Sequence, residues 1–237
     1  FRPTRDTMVQ FGAYQVSPLN GNPSGWSWGS EETTGMMLPI EFTWQPFLTR
    51  NRLPGHYVFG YAHDTSRYAD QLGNKPASLL SQPGRERSAP MDIFWFEGDQ
   101  MIYRMGGRNQ MAGGYLMAGY IHNTPHVSTI SDEAYGGLSF NGLIPTRLTD
   151  RRGILYSWYH VSDRKRLGQM YALDAGMSLG AQVRGPQTDS HVIEAYYAID
   201  AMPGVTVQPE FEYMIRPGET SHIPDAALVG LKVIANL

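Results

Sequence analysis

Between residues 36 and 45 apolar and polar side chains alternate one for one. Leu38, Ile40, Phe42 and Trp44 fall on one parity, and Glu41, Thr43 and Gln45 on the other. Successive side chains of a strand point to opposite faces, so this period of two specifies a strand between two different environments. Residues 204–215 repeat it, with Val205, Val207, Phe211, Tyr213 and Ile215 opposed to Thr206, Gln208, Glu210, Glu212 and Met214. Pro209 lacks an N–H and calls for a bulge or an unpaired ladder position. At 227–237, Ala227, Val229, Leu231, Val233, Ala235 and Leu237 share one face, while Gly230, Lys232 and Asn236 share the other.

Less regular strands are expected at 7–16, 55–64, 91–103, 113–122, 134–144, 153–162 and 190–200, which makes ten. In 91–103 and 113–122 both faces are apolar, so their orientation is left open. No segment sustains a 3.6-residue period with caps, and helix content should be low. The class is all-β. Charged residues are only 17% of the 237, against about 25% in ordinary soluble domains, and there are 26 glycines.

The connections at 46–54, 104–112, 145–152 and 201–203 lie on the side of the C-terminus and are short. Those at 17–35, 65–90, 123–133, 163–189 and 216–226 lie on the opposite side and are longer in nearly every comparison. Transmembrane β-barrels show this two-sided alternation, whereas a soluble sandwich has no reason to keep it. Their strands need only about 9–11 residues with polar side chains at every second position, so a mean hydropathy of -0.35 is compatible with spanning. Trp44 and Tyr57 flank the turn 46–54, where an interfacial aromatic girdle would sit.

Other classes find little support. A net charge of -3 supplies no basic surface for nucleic acid. The absence of cysteine removes disulfides, Cys-based metal sites and a thiol nucleophile. No apolar run approaches the roughly 18 residues of a spanning helix, and FRPTRDTMVQ at the start lacks the regions of a signal peptide. Glu210 and Glu212 could be taken for a glycosidase carboxylate pair, but acids at i and i+2 are ordinary on a polar strand face. His122 and His126 have helical metal-ligand spacing, yet Asn123 and Pro125 between them favour a loop. No nucleophile elbow, phosphate loop or dinucleotide fingerprint occurs, so no enzyme activity, metal or cofactor is expected.

Several stretches resemble the carbohydrate-selective porin family, the OprB-like outer-membrane channels. They are FGAYQVSP at 11–18, LPGHYVFGYAHDTS at 53–66, GDQMIYR at 98–104, YGGLSFNGLIPTR at 135–147, EAYYAI at 194–199, VTVQPEFEYMIRPG at 205–218 and ALVGLKVIANL at 227–237. The resemblance implies a bacterial outer-membrane barrel that passes mono- or small oligosaccharides by diffusion. It also implies about sixteen strands, of which these ten match the C-terminal part, so residues 1–237 form one barrel domain without its first strands. The strand at 7–16 should then pair with polypeptide outside this chain, from the same protein or another copy. Leu237 stands where such barrels usually end in an aromatic residue. A structural role in a larger outer-membrane assembly is the alternative.

Sugar recognition needs carboxylates, amides or guanidinium groups for the hydroxyls and aromatic faces for the C–H side of the ring. Parity places Glu41, Gln45, His56, Asp64, Tyr135, Asn141, Glu194, Tyr196, Gln208, Glu210, Glu212 and Lys232 on the polar, pore-lining face. Asp99, Gln100 and Arg104 join them as candidates from the GDQMIYR stretch. A hairpin centred near Ser221 would set Glu210 opposite Lys232, and a turn near 202 would bring Glu194 close to Gln208 or Glu210. Trp26 and Trp28, in a Gly- and Ser-rich loop, could fold inward to narrow a channel.

Overall fold

The computed structural model describes residues 1–17, 32–49, 52–72, 88–106, 110–144, 146–179, 183 and 185–235. Trp26, Trp28 and Leu237 lie outside the described residues. The strands are β1 (Thr7–Phe11), β2 (Tyr14–Val16), β3 (Gly35–Trp44), β4 (Phe47–Leu48), β5 (Leu53–Ala69), β6 (Ser88–Arg104), β7 (Gly113–Asn123) and β8 (Ile130–Asn141). They continue with β9 (Arg151–Val161), β10 (Asp189–Met202), β11 (Val205–Ile215) and β12 (Ala226–Ala235). All join one antiparallel sheet in the order β1-β3-β5-β6-β7-β8-β9-β10-β11-β12, with β2 beside β3 and β4 beside β5. The sheet does not close: β1 and β12 are its two edges.

Cross-strand partners share a face, so the register settles what periodicity left open. Phe42 pairs with Phe59 and Phe59 with Phe96, which puts Phe94 and Phe96 on the apolar face. That face is bare. Val229, Leu231 and Val233 are 86%, 69% and 62% exposed, with Leu38, Ile40, Phe42, Trp44 and Phe211 also exposed. The polar positions of β3 alternate with them as half-buried or buried, although among the described residues no second sheet lies over either face. The sheet therefore curls around its polar side. An exposed apolar face of this continuity is foreign to a water-soluble monomer.

The apolar face has polar borders. At the short-turn end the Trp44 and Tyr57 rings meet across paired strands at 5.6 Å. At the other end His63–Asp92, His122–Asp132 and His191–Asp189 pair at 2.8 Å each, with His160 set between Asp132 and Asp189 in the register. These groups satisfy one another where the apolar band stops.

One expectation is corrected, and the low helix content expected resolves to a single α-helix among the described residues. The connection 124–129 is shorter than 105–112 and 142–150, so length alternation fails at that position. The connection 162–188 holds a twelve-residue helix, α1 (Asp163–Asp174). Ser162 caps it, its Oγ accepting from Arg164 N at 3.2 Å while donating to the Pro125 carbonyl. Its buried residues are Gly168, Gln169 and Ala172, whereas Leu167, Met170 and Leu173 are exposed. No apolar stripe exists for a period search to find. At Pro209 the β10–β11 ladder keeps its register, with Tyr196–Glu210 on one side and Ile199–Val207 on the other; the pairs between them drop out, so the missing N–H leaves unpaired positions and no bulge.

Asp150 organises the β8–β9 turn. It accepts from Arg147 Nε and Nη2, from Tyr197 O–H at 2.6 Å and from Asp200 N–H at 3.1 Å. The Arg147 guanidinium, aided by the Tyr197 and Asp200 donors against the effect of burial, brings its carboxyl down to about 2. A carboxyl depressed in the folded state contributes stability above its ordinary value near 4, and loses it as pH falls toward 2. Amide protection factors in 146–153, corrected for the intrinsic pH dependence of exchange, are therefore expected to fall between about pH 4 and pH 2. Asp150→Asn should show faster exchange already at neutral pH, without the acid step; an acid step that persists in the variant would assign it to another group.

Candidate pore-lining site

The register places Glu41, His56, Asp99, Glu194, Glu210, Glu212, Gln208 and Lys232 on the polar face, together with Tyr135, Asn141 and Tyr196. Gln45 follows the end of β3 and is exposed. Arg104 reaches the polar face by a different route. A register shift between Met101 and Tyr103 leaves Ile102 and Tyr103 exposed and sets Arg104 opposite Gly113, where strict alternation would have turned it outward. Its Nη2 donates to the Arg52 carbonyl at 3.1 Å.

Two candidates are overturned. Gln100 pairs with Gly55 on the face of Tyr57, where its Oε1 accepts from Tyr57 O–H at 2.8 Å and its Nε2 donates to the Met101 carbonyl at 2.8 Å. It braces the apolar side of the turn. Asp64 has polar-face parity but is buried, accepting from Ser66 N–H at 2.8 Å and Tyr68 O–H at 2.6 Å. Its oxygens serve its own strand end.

The polar residues collect in two groups. In the first, His56, Glu97, Asp99, Tyr115, Tyr135 and Asn141 line a cavity of about 450 Å³. His56 Nδ1 lies 3.5 Å from Asp99 Oδ1, and Tyr135 O–H donates to Glu97 Oε2 at 3.2 Å. Glu97 and Tyr115 escaped the sequence reading because Ile93, Trp95 and Met117 occupy the same face and hide its polarity. Cavities of roughly 300–1,000 Å³ with a few convergent polar groups suit small ligands.

The second group is Glu194, Gln208, Glu210, Glu212 and Lys232. Lys232 stands opposite Gln208 rather than Glu210, and Glu194 opposite Glu212. The hairpin centre lies near Thr220, not Ser221, and the other turn near Pro203, not 202. A one-residue error in a turn centre moves every opposed partner by two and leaves the faces intact. Gly230 opposes Glu210 and gives its side chain room, so Lys232 Nζ still reaches Glu210 Oε2 diagonally at 3.5 Å. Gln208 Nε2 donates to the same oxygen at 3.1 Å.

The model of the carbohydrate-selective porin OprB family matches residues 1–237. The chain belongs to the OprB family. It is 26% identical over 240 residues to Porin B of Pseudomonas aeruginosa, covering 96% of this chain and 51% of that protein. The high-pH structure of Pseudomonas putida OprB superposes with a TM-score of 0.87 at 24% identity, over 99% of this chain and 57% of that one. Its low-pH structure gives 0.60 at 19% identity, over 98% and 52%. This OprB-family chain thus spans about half the length of the relatives it matches. The two structures support the fold.

Proposed function

We propose that the chain is part of the wall of a bacterial outer-membrane channel through which mono- and small oligosaccharides diffuse passively. The observation carrying this reading is a single-layer sheet with a bare apolar face and a polar concave face bearing Glu41, Glu97, Asp99, Glu194, Glu210, Glu212 and Lys232. Lipid covers the first and water the second. Backbone groups at the edges β1 and β12 would each cost several kcal/mol if left open in hydrocarbon. Further strands, from more polypeptide or another copy, complete the barrel. The wall binds sugar weakly because its donors and acceptors already hold partners that sugar hydroxyls must replace.

Liposome swelling with the full-length protein and sugars of increasing size tests the reading. Glucose should enter fast and larger saccharides progressively more slowly; swelling no faster than that of empty liposomes would overturn it. A second outcome concerns charge. Lys232→Ala removes the counter-charge of Glu210, so the reversal potential in asymmetric salt should move toward cation selectivity and saccharide block should weaken. If neither changes, Lys232 is a wetted wall residue with no share in selectivity.

A further inference from the structure

Three rows of the polar face repeat one arrangement across successive strands. Glu41 of β3 opposes Gly60 of β5, which opposes Trp95 of β6. Glu97 of β6 opposes Gly119 of β7, which opposes Tyr135 of β8. Ser139 of β8 opposes Gly153 of β9, which opposes Tyr196 of β10. Each row reads oxygen acceptor, glycine, aromatic ring.

The glycines are required by the rings. A methyl group added at Gly60 would run into the Trp95 indole, and one at Gly119 into the Tyr135 phenol. At Gly153 it would stand 2.7 Å from Tyr196 Cε1. At least two atoms of one ring crowd each position, so each ring leans over its glycine and occupies the space a side chain there would fill. Half-burial of all three side chains fits rings with one face covered and the other open. The ring also reaches the acceptor beyond the glycine: Tyr135 O–H donates to Glu97 Oε2, and Tyr196 O–H lies 3.3 Å from Ser139 Oγ. The three rows border two cavities, one of about 450 Å³ lined by Glu97, Tyr135 and Ser139 and one of about 210 Å³ where Trp95 meets Glu41 and Gln10.

A pyranose presents C–H groups on its faces and hydroxyls around its rim. The electron-rich face of an aromatic ring attracts the former, and a carboxylate or hydroxyl one strand away accepts from the latter. We propose that Trp95, Tyr135 and Tyr196 are three stacking platforms for pyranose rings along the inner wall, each completed by its acceptor, Glu41, Glu97 or Ser139. The inference rests on the channel reading above and specifies where on the wall the sugar pauses. The rings stand on β6, β8 and β10, every second strand of the sheet, so a released sugar meets another platform two strands away.

The test compares glucose with sorbitol, an open-chain hexitol with similar hydroxyls but no ring face, in single-channel recordings of the full-length protein. Trp95→Leu, Tyr135→Leu and Tyr196→Leu keep apolar bulk and remove the aromatic face. Each should shorten glucose block roughly two- to tenfold while leaving sorbitol block as in the parent. Tyr135→Phe should retain the parent's glucose dwell. Should a leucine variant fail to insert, Gly119→Ala asks the same question, because its methyl group must lift the Tyr135 ring, and the same selective loss is expected. Unchanged glucose dwell, or equal shortening for both solutes, would overturn the platforms while leaving the channel standing. A parent protein that admits no sugar in liposome swelling would overturn both.

Discussion

Phe211→Arg is expected to destabilise the folded protein in phospholipid vesicles by about 2–4 kcal/mol, the cost of a lipid-facing cation near the bilayer midplane of a barrel. Phe211 sits in the middle of β11, exposed on the apolar face and paired with Ala195 and Val229. Its neighbour Glu212 points the other way, toward Glu194. Glu212→Arg should therefore change stability by no more than about 0.5 kcal/mol, as for an ordinary wetted site. Reversible urea unfolding of both variants in vesicles reads the difference. Equal costs would mean that the two faces do not meet different solvents, and the membrane reading would fall with them.

Arg164→Ala is expected to loosen the long connection between β9 and β10. Arg164 Nε and Nη2 donate to Asp70 Oδ1 and Oδ2 at 3.0 and 2.6 Å, tying α1 to the end of β5. The Asp70 side chain is 7% exposed. Burial alone would raise its carboxyl; the Arg164 fork, with the Leu72 N–H, holds it below the usual carboxylate range. Removing Arg164, itself 29% exposed, leaves the buried Asp70 carboxylate without its counter-charge, a loss below the roughly 3–5 kcal/mol of a fully buried pair. The loss should be local, because the β-ladders do not depend on α1. Hydrogen exchange is expected to accelerate in 163–174 and to stay unchanged in β11. The sign with pH follows from the depressed carboxyl: in the parent the tie holds above about pH 4 and weakens as Asp70 protonates on further acidification. Exchange in α1 that matches the parent's would show that Gln169 and Gln187, which also bond across the loop, suffice to hold it.

The ten strands of the sheet's main path, their antiparallel order and the faces of β3, β11 and β12 were legible in the amino acids, because alternation is local and a strand shows it without reference to its neighbours; the break of 7–16 into β1 and β2 and the two-residue β4 were not. Glu41, Glu194, Glu210, Glu212 and Lys232 took their faces for that reason. Lys232 nevertheless gained Gln208 as its direct partner, since partnership depends on where a turn is centred, and a loop sequence constrains that only loosely. Gln100 and Arg104 share a parity opposite to that of Asp99, so simple alternation turns both outward: Gln100 stays there, paired with Gly55 behind the turn, while a bulge re-aims Arg104 to the polar face. Helix α1 was hidden because contacts to Asp70, Pro125 and Gln187 hold it, with no apolar stripe of its own.

By itself the sequence determined that this chain makes a two-faced β-sheet, since a period of two admits no other regular structure, and its ordered stretches along the chain carried the family likeness. Only the tertiary structure decided which polar groups share a cavity and which glycines lie beneath aromatic rings. Gly60 and Trp95, Gly119 and Tyr135, and Gly153 and Tyr196 are distant in sequence, and nothing local distinguishes these glycines from those of a turn. Hydrogen-bonded register alone brings each pair together, and register is a property of strands in pairs.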